Sequence, residues 1–371
     1  MFIKLPQPDY SLINFYIPVG SVYEPKEVKG ISHFLEHLII LRTEKNKEYF
    51  DKLGLTIYAS TYKYYSYYSI EVPSYLTKKA YKIMENLIKN LKITSSDIEK
   101  EKKLIEEEIK FYEKDIEDIA FNKLCNMIFK NTPLEDPVIG YLDTIKNFNK
   151  NTLIKWHKKF YSNPIVIYSS KIKLIDKSVK DFKICPPEVD IILPSQKFLS
   201  YKIKNNKRNL FLWTLIFKEN KNIKDRLVIE ILSYMLGNMN SSILFQNLVM
   251  NGYVYKYRTE VTEFNGISLL LSYIHSQKLD KIKNIIFTLS KNLQKKLNSE
   301  LFILAKNCLL KDIESSISKG SFTYLIGHNI CTFGQFLKPS YIIEVIKNIK
   351  FSDLIKILNK NLIDYYFMEI V

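Results

Sequence analysis

Two histidines and a glutamate are concentrated in the segment from residue 30 to residue 40. His33, Glu36 and His37 are spaced three and four residues apart, so on a helix they share one face. Two imidazoles one turn apart are well placed to hold one zinc ion, and a carboxylate beside them can take a proton from water. Core histidines with ordinary hydrogen bonds are the alternative. Two of the five histidines of the chain fall here beside a glutamate, which favours the metal site.

A catalytic zinc site usually has three protein ligands and one open position, so a third ligand is expected elsewhere. Residues 97–114 read as a helix with an apolar stripe that includes Ile98 and Ile105. Glu101 and Glu108 continue this stripe, and seven residues place them on one face, two turns or ~11 Å apart. Glutamate is rarely buried unless it is paired or bound. The two glutamates therefore suit a metal helix, although a solvated acidic face remains possible from the pattern alone.

The elements that must position these residues occur twice along the chain. The first half predicts a strand, a helix, two strands, three helices and a short strand, at residues 12–19, 31–41, 55–60, 64–72, 76–91, 97–114, 151–160 and 165–169. The second half predicts a strand, a helix, two strands and three helices, at residues 210–217, 224–248, 254–260, 266–274, 276–293, 299–318 and 342–349. This repeat predicts an α+β fold with two homologous domains, each an antiparallel sheet packed by helices.

The seam between the halves is the segment 185–190, which contains two adjacent prolines. Proline stops regular structure and suits an extended linker. We therefore predict a domain of residues 1–184 that contains the candidate metal site and a second domain of residues 191–371 without one.

Composition and charge limit the classes of partner. The net charge is +16, but lysines are scattered along every segment, which favours a solvated surface over a nucleic-acid-binding stripe. The tyrosine-rich run 58–68 alternates, as in a strand with one tyrosine face, which is more often core or interface than a base-stacking platform. No apolar run reaches the ~18 residues of a membrane helix, and no targeting segment is evident. We expect no membrane span and a cytoplasmic location. The four cysteines have no CxxC spacing, so we expect mostly buried, reduced thiols.

Residues 20–38 read GSVYEPKEVKGISHFLEHL, and HFLEH is the inverted zinc-peptidase motif H-x-x-E-H. This run resembles the pitrilysin, insulysin and mitochondrial processing peptidase family, which has GS-x-x-E followed by G-x-x-HFLEH. The family adds a zinc-binding glutamate some seventy to eighty residues later, with a second acidic residue seven positions before it. Glu108 and Glu101 match that pair. Residues 101–112 resemble half-size bacterial members, and residues 236–246 are similar to a stretch of the family's second domain.

The resemblance implies a zinc metalloendopeptidase. Zn²⁺ would be held by His33, His37 and Glu108, with water in the fourth position. Glu36 would be the general base, and Glu101 would orient a ligand histidine. A peptide substrate would add as an extended strand beside residues 55–61.

The length of 371 residues implies half of the clamshell of full-length members, and hence a dimer that encloses a chamber for unfolded peptides. Active single-chain members use an Arg and a Tyr, seven residues apart, in the second domain. Tyr255 matches that Tyr as a candidate catalytic residue, but the Arg position falls on Leu248, or on Val249 after one deletion. We therefore expect a heterodimer in which a sister subunit supplies the Arg. A homodimer that uses Tyr255 or Arg258, and a non-catalytic peptide-binding or structural subunit, are the alternatives.

One further departure lies beside the predicted active site. The family's Asn-Ala-x-Thr reads Tyr58-Ala59-Ser60-Thr61 here, so a tyrosine replaces the asparagine.

Overall fold

The computed structural model describes residues 2–5, 10–44, 46–172, 174, 184–187, 191–203, 208–218 and 222–371. In these ranges ten strands are present: β1 (Phe2–Leu5), β2 (Tyr10–Ile17), β3 (Thr56–Thr61), β4 (Ser66–Pro73), β5 (Ile165–Ser169), β6 (Phe198–Tyr201), β7 (Leu210–Lys218), β8 (Lys256–Phe264), β9 (Ile267–His275) and β10 (Leu362–Ile370).

Helices occupy most of the remaining described chain: α1 (Ile31–Glu44), α2 (Lys47–Lys52), α3 (Thr77–Lys89), α4 (Ser95–Tyr112), α5 (Ile116–Ile128), α6 (Leu142–Lys146), α7 (Lys150–Phe160), α8 (Ile223–Leu236), α9 (Leu279–Lys291), α10 (Leu293–Lys296), α11 (Ser299–Ser318), α12 (Phe322–Phe333), α13 (Pro339–Asn348) and α14 (Phe351–Lys360).

The strands form two five-stranded sheets with the same topology. The orders are β1-β5-β2-β4-β3 and β6-β10-β7-β9-β8, so each strand of the second sheet takes the place of its counterpart in the first. The predicted α+β architecture with two homologous halves is confirmed. The sheets are mixed rather than purely antiparallel, because β1 pairs with β5 and β6 pairs with β10 in parallel. Those pairings need the long helical connections that separate the strands in sequence.

The two compact units exchange one helix each. The first unit comprises residues 1–112, 129–189 and 315–337, and the second comprises residues 113–128, 190–314 and 338–371. Helix α5 therefore packs on β7 and β10 of the second sheet, whereas α12 packs on β2 and β5 of the first. The predicted domains, residues 1–184 and 191–371, do not include this exchange of helices, because each is continuous in sequence. Of the predicted linker, residues 185–187 lack regular structure and residues 188–190 lie outside the described residues.

The first sheet buries both of its faces near its centre. On one face, Phe15 of β2 and Ile70 of β4 join Phe34 and Leu38 of α1 in the core. The opposite face is covered by α12. A Cβ atom at Gly327 would lie 2.0 Å from the ring of Tyr16, so only glycine allows this close approach of helix to sheet.

The predicted helix 224–248 is wrong in its second half. Helix α8 ends at Leu236, and a short π-helical turn, Phe245–Val249, follows separately. A Cβ atom at Gly237 would lie 2.0 Å from Oγ1 of Thr259 on β8. The chain therefore passes too close to that strand for any residue except glycine. The helical periodicity of the sequence does not reveal this tertiary contact, so it did not predict where the helix ends.

Two further expectations concern thiols and membranes. All four cysteines are free of disulfides. Cys125 and Cys331 are buried, Cys308 is half-buried and Cys185 is exposed. Among the helices that the structure describes, none combines the length and the apolar character needed to cross a bilayer.

Candidate metal centre

Helix α1 carries the histidines and begins at a buried carboxylate. The Oε2 atom of Glu24 accepts a hydrogen bond from the N–H of Gly30 at 2.7 Å, and Oε1 accepts one from the N–H of Ser32 at 2.8 Å. These donors belong to the first turn, where no intrahelical acceptor exists and where a negative charge complements the helix dipole. Burial raises the pKa of Glu24, and these hydrogen bonds oppose that shift. Glu24 was part of the recognised sequence motif, but its role as a helix cap was not predicted.

The start of α1 is also fixed by a close backbone approach. Gly30 has a φ of 90°, in the left-handed region that favours glycine. A Cβ atom there would lie 2.4 Å from the carbonyl oxygen of Ile139. The loop before α6 therefore lies against the residue that precedes α1 and fixes where this helix begins.

Helices α1 and α4 bring three metal-binding side chains together. His33, His37 and Glu108 each offer a ligand atom, and these three atoms lie within 4.8 Å of one another. The Nε2 atom of His33 is 3.7 Å from Glu108 Oε1, and the Nε2 atom of His37 is 3.3 Å from Glu108 Oε2. Ligands bound tetrahedrally at ~2.0–2.1 Å are ~3.4 Å apart. The donor set therefore suits a zinc ion, and both histidine–glutamate distances are close to this value.

The state of His33 also suits a metal ligand. Its Nδ1 atom is buried and has no hydrogen-bond partner among the described residues. Burial, with the neighbouring His37, lowers the pKa of His33 to about 4. The ring is therefore neutral at physiological pH, so one of its two nitrogens carries a lone pair that can bind a metal ion.

His37 lies between two carboxylates. Its Nδ1 atom is 3.2 Å from Oε2 of Glu101, whose side chain is only 4% exposed. Burial would lower the pKa of His37, but Glu101 and Glu108 raise it to about 10. A proton on Nδ1 shared with Glu101 leaves Nε2 as the atom that faces Glu108. This is the arrangement in which a carboxylate orients a ligand histidine.

Glu108 has the charge expected of a ligand. Burial would raise the pKa of this carboxyl, but contacts with His37 and His33 lower it below its usual value. Tyr112, one turn further along α4, also lowers the pKa of Glu108. The stripe predicted for this helix is present, since Ile98 and Ile105 are buried with Glu101 between them.

Glu36 lies on the same face of α1 and is held by the first sheet. Thr61, the last residue of β3, donates a 2.6 Å hydrogen bond from Oγ1 to Glu36 Oε2. Burial raises the pKa of Glu36, and this hydrogen bond opposes the shift. Thr61 stood in the recognised Ala-x-Thr pattern, but its contact with Glu36 required the register between helix and strand.

The second unit contains Tyr255 and the neighbouring residues considered for catalysis. Tyr255 is 58% exposed, whereas Leu248 is fully buried and has no polar side-chain atom to offer. The guanidinium of Arg258 is bound to Glu117 at 2.8 Å and also to Glu260. Arg258 is therefore paired with two carboxylates of its own unit.

Known proteins match almost the whole length of this chain. The family model described as Insulinase (Peptidase family M16) matches residues 2–141, and the one described as Peptidase M16 inactive domain matches residues 147–309. A zinc protease of Rickettsia felis is 27% identical over 388 residues, spanning 96% of this chain and 91% of the relative. The beta subunit of the mouse mitochondrial-processing peptidase is 24% identical over 163 residues, which are 43% of this chain and 33% of that subunit.

Solved structures with the same fold cover the whole chain. A protease from Helicobacter pylori has a TM-score of 0.85 at 17% identity, and covers 100% of this chain and 96% of its own. An M16-like peptidase from Alicyclobacillus acidocaldarius has a TM-score of 0.83 at 17% identity, with 100% and 95% coverage. The sequence matches extend this likeness from the fold to the family. The chain is therefore a half-size member of peptidase family M16, with relatives named as zinc proteases.

Proposed function

We propose that this chain is a zinc-dependent endopeptidase that cleaves extended, unfolded peptides or leader segments. The observation that carries the proposal is the convergence of His33, His37 and Glu108 from two helices, with ligand atoms that lie within 4.8 Å of one another. Glu36 on the same helix face supplies the acid–base group that peptide hydrolysis needs.

Zinc would supply Lewis-acid chemistry at this site, polarising the scissile carbonyl and making water nucleophilic near neutral pH. Glu36 takes a proton from the attacking water and delivers it to the leaving amine. Its burial raises its pKa, which makes the carboxylate a better proton acceptor than an exposed glutamate. Thr61 holds one oxygen of Glu36, so the other oxygen is left to face the reacting atoms.

Glu101 acts through His37 and does not touch substrate. Its carboxylate accepts the Nδ1 proton of His37 at 3.2 Å, which fixes the tautomer and directs Nε2 toward the metal. Removal of the negative charge at Glu101 should weaken metal binding rather than the chemical step.

The substrate would pair with the free edge of β3. This strand is at the edge of the first sheet, where it pairs only with β4 among the described strands. An extended peptide can extend such a sheet through main-chain hydrogen bonds, which read backbone more than sequence. Because Thr61 at the end of β3 contacts Glu36, a peptide laid along this edge passes beside the metal ligands.

We further propose that the active form is a dimer, with a second family subunit as the partner. The arginine position of active single-chain relatives falls on the buried Leu248, or on Val249 after one deletion, and neither side chain can supply a cation. Arg258, the nearest alternative in sequence, is paired with Glu117 and Glu260. These features favour a heterodimer over a homodimer. In the heterodimer, the sister subunit would supply the arginine.

Cleavage of a pool of unstructured peptides by the zinc-loaded chain, alone and with its genomic neighbour, tests these proposals. Glu36→Gln keeps the shape of the side chain but cannot accept the proton, so zinc should remain bound while cleavage is abolished. Normal cleavage by Glu36→Gln would overturn the assignment of the base. Cleavage only in the presence of the neighbour would support the heterodimer, and equal cleavage without it would support a homodimer. A zinc-loaded chain that cleaves in neither condition would support a non-catalytic subunit.

A further inference from the structure

The first sheet presents a partly exposed group of tyrosines beside the free edge of β3. Tyr58 and Tyr62 are 52% and 46% exposed. The ring of Tyr62 stacks on Tyr67 of β4 with centroids 6.0 Å apart. Tyr324 of α12 meets Tyr67 edge-on at 5.4 Å. We name Tyr58, Tyr62, Tyr67 and Tyr324 the tyrosine shelf.

The shelf lies on the sheet face opposite α1. Ala59 packs toward the core that includes α1, and Thr61 reaches Glu36. Because side chains alternate along a strand, Tyr58 and Ser60 point to the other face. A peptide paired with β3 would therefore direct alternate side chains toward the metal centre and toward the shelf.

The centre of the shelf is a gap at Ser60. Ser60 has a small side chain, and its cross-strand neighbour on β4 is Tyr67. Tyr58 lies two residues before Ser60 on β3, at ~7 Å along the strand, and Tyr62 lies two residues after Ser60, just beyond the end of β3. Diagonal neighbours at this distance are within reach of aromatic side chains. A ring placed level with Ser60 would be flanked by two tyrosines, with Tyr67 behind.

Tyr67 and Tyr324, which form the inner part of the shelf, are held in place before any peptide arrives. The hydroxyl of Tyr324 hydrogen-bonds with Ser69, which is the cross-strand neighbour of Tyr58, at 3.0 Å. Tyr16 stacks on the far side of Tyr67 at 5.7 Å. Ring positions that are fixed by packing lose little conformational freedom when a further ring binds.

We propose that the tyrosine shelf selects peptides with an aromatic side chain at the residue level with Ser60, on the side of the peptide that faces away from the metal. This inference rests on the proposed function, because it assumes that the peptide pairs with β3. It names a specificity that belongs to Tyr58 and its neighbours rather than to the metal ligands.

The test uses a set of peptides of one fixed sequence in which a single position is Trp, Phe, Leu, Lys, Asp or Ala. Values of kcat/KM for cleavage are measured for the wild type, Tyr58→Ala, Tyr62→Ala and Tyr58→Phe. An aromatic contact beyond simple burial corresponds to about a threefold to tenfold preference. We expect the wild type to favour Trp and Phe over Ala by about tenfold at one position. Tyr58→Ala and Tyr62→Ala should each remove most of that preference, whereas Tyr58→Phe should keep it.

Tyr75→Ala is the matched control, because Tyr75 is an 82% exposed tyrosine outside the shelf and its removal should leave the preference unchanged. An unchanged preference in both Tyr58→Ala and Tyr62→Ala would overturn the proposal. A wild-type preference for Lys would also overturn it, since that result would assign the shelf to cations.

Failure of the proposed function is separable from failure of the shelf. Binding of the same peptides to the Glu36→Gln protein is measured by fluorescence anisotropy, which needs no cleavage. Tighter binding of the Trp peptide that is lost in Tyr58→Ala supports the shelf even in a protein that does not cleave. Cleavage that depends on Glu36 but shows no aromatic preference supports the peptidase and overturns the shelf. Absence of any peptide binding overturns the shelf as well.

Discussion

Glu101→Gln is the substitution that isolates the support given to the metal ligand His37. The glutamine keeps the size of the side chain and an oxygen that can accept the Nδ1 proton of His37. It removes the negative charge that lies 3.2 Å from that nitrogen. The side chain is 4% exposed, so water cannot replace the lost charge, and the ring becomes a weaker and less firmly oriented ligand.

The expected size of the effect follows from this geometry. Loss of a buried carboxylate behind a ligand histidine weakens metal binding about 10- to 100-fold, or about 1.4–2.7 kcal/mol. The zinc dissociation constant is measured by competition with a chromophoric chelator at fixed pH. Glu107→Gln is the matched control, because Glu107 lies on the same helix with a side chain that is 74% exposed, and we expect no change there. A zinc affinity of Glu101→Gln within twofold of the wild type would refute the proposed role of Glu101.

Three further predictions concern pH, the base and the helix cap. Because neighbouring carboxylates raise the pKa of His37 to about 10, a metal ion must displace its proton throughout the neutral range. Zinc affinity should therefore rise about tenfold per pH unit between pH 6 and pH 8, and a flat titration would contradict this. Thr61→Val removes the hydrogen bond to Glu36. The value of kcat/KM should therefore fall about tenfold or more, while the zinc content of the protein stays unchanged. Loss of zinc together with activity would indicate a structural role for Thr61 instead. Glu24→Ala leaves two buried N–H groups at the start of α1 without acceptors. This change should lower the free energy of unfolding, measured by denaturant titration, by about 2–4 kcal/mol. A loss below about 0.5 kcal/mol would show that the cap is dispensable.

The core of the candidate site could be predicted because its signals are local. His33, Glu36 and His37 are fixed relative to one another by helix geometry alone. Glu101 and Glu108 could be found 64 and 71 residues after His37 because they stand in the apolar stripe of a second helix. That these two helices meet was given only by the resemblance to a family, since periodicity does not state which helices pack together.

The contacts that hold the site depend on tertiary register and were not predicted. The hydrogen bond from Thr61 to Glu36 requires the end of β3 to lie level with the second turn of α1. The cap formed by Glu24 requires the preceding loop to return to the start of the helix. Neither residue differs in type from many surface threonines and glutamates, so sequence pattern alone gave no reason to single out the contacts.

The features of the fold that the sequence did not predict also depend on tertiary contacts. Helices α5 and α12 pack on the sheet of the opposite half, and their amphipathic sequences do not specify which sheet they cover. Helix α8 stops at Leu236 because Gly237 passes against Thr259, a contact with a strand that follows later in the chain. The repeated order of elements was correct because it depends on local patterns, which are preserved in both halves.

The location of bound zinc tests the central claim most directly. Crystals of the chain grown with zinc are measured on both sides of the zinc absorption edge, and an anomalous difference map is calculated. We predict one strong peak per chain among His33 Nε2, His37 Nε2 and the carboxylate of Glu108, with the peak present in Glu36→Gln and lost in Glu108→Ala. Absence of a peak at these three residues, or a zinc ion bound elsewhere in its place, would contradict the assignment of this chain as a zinc peptidase.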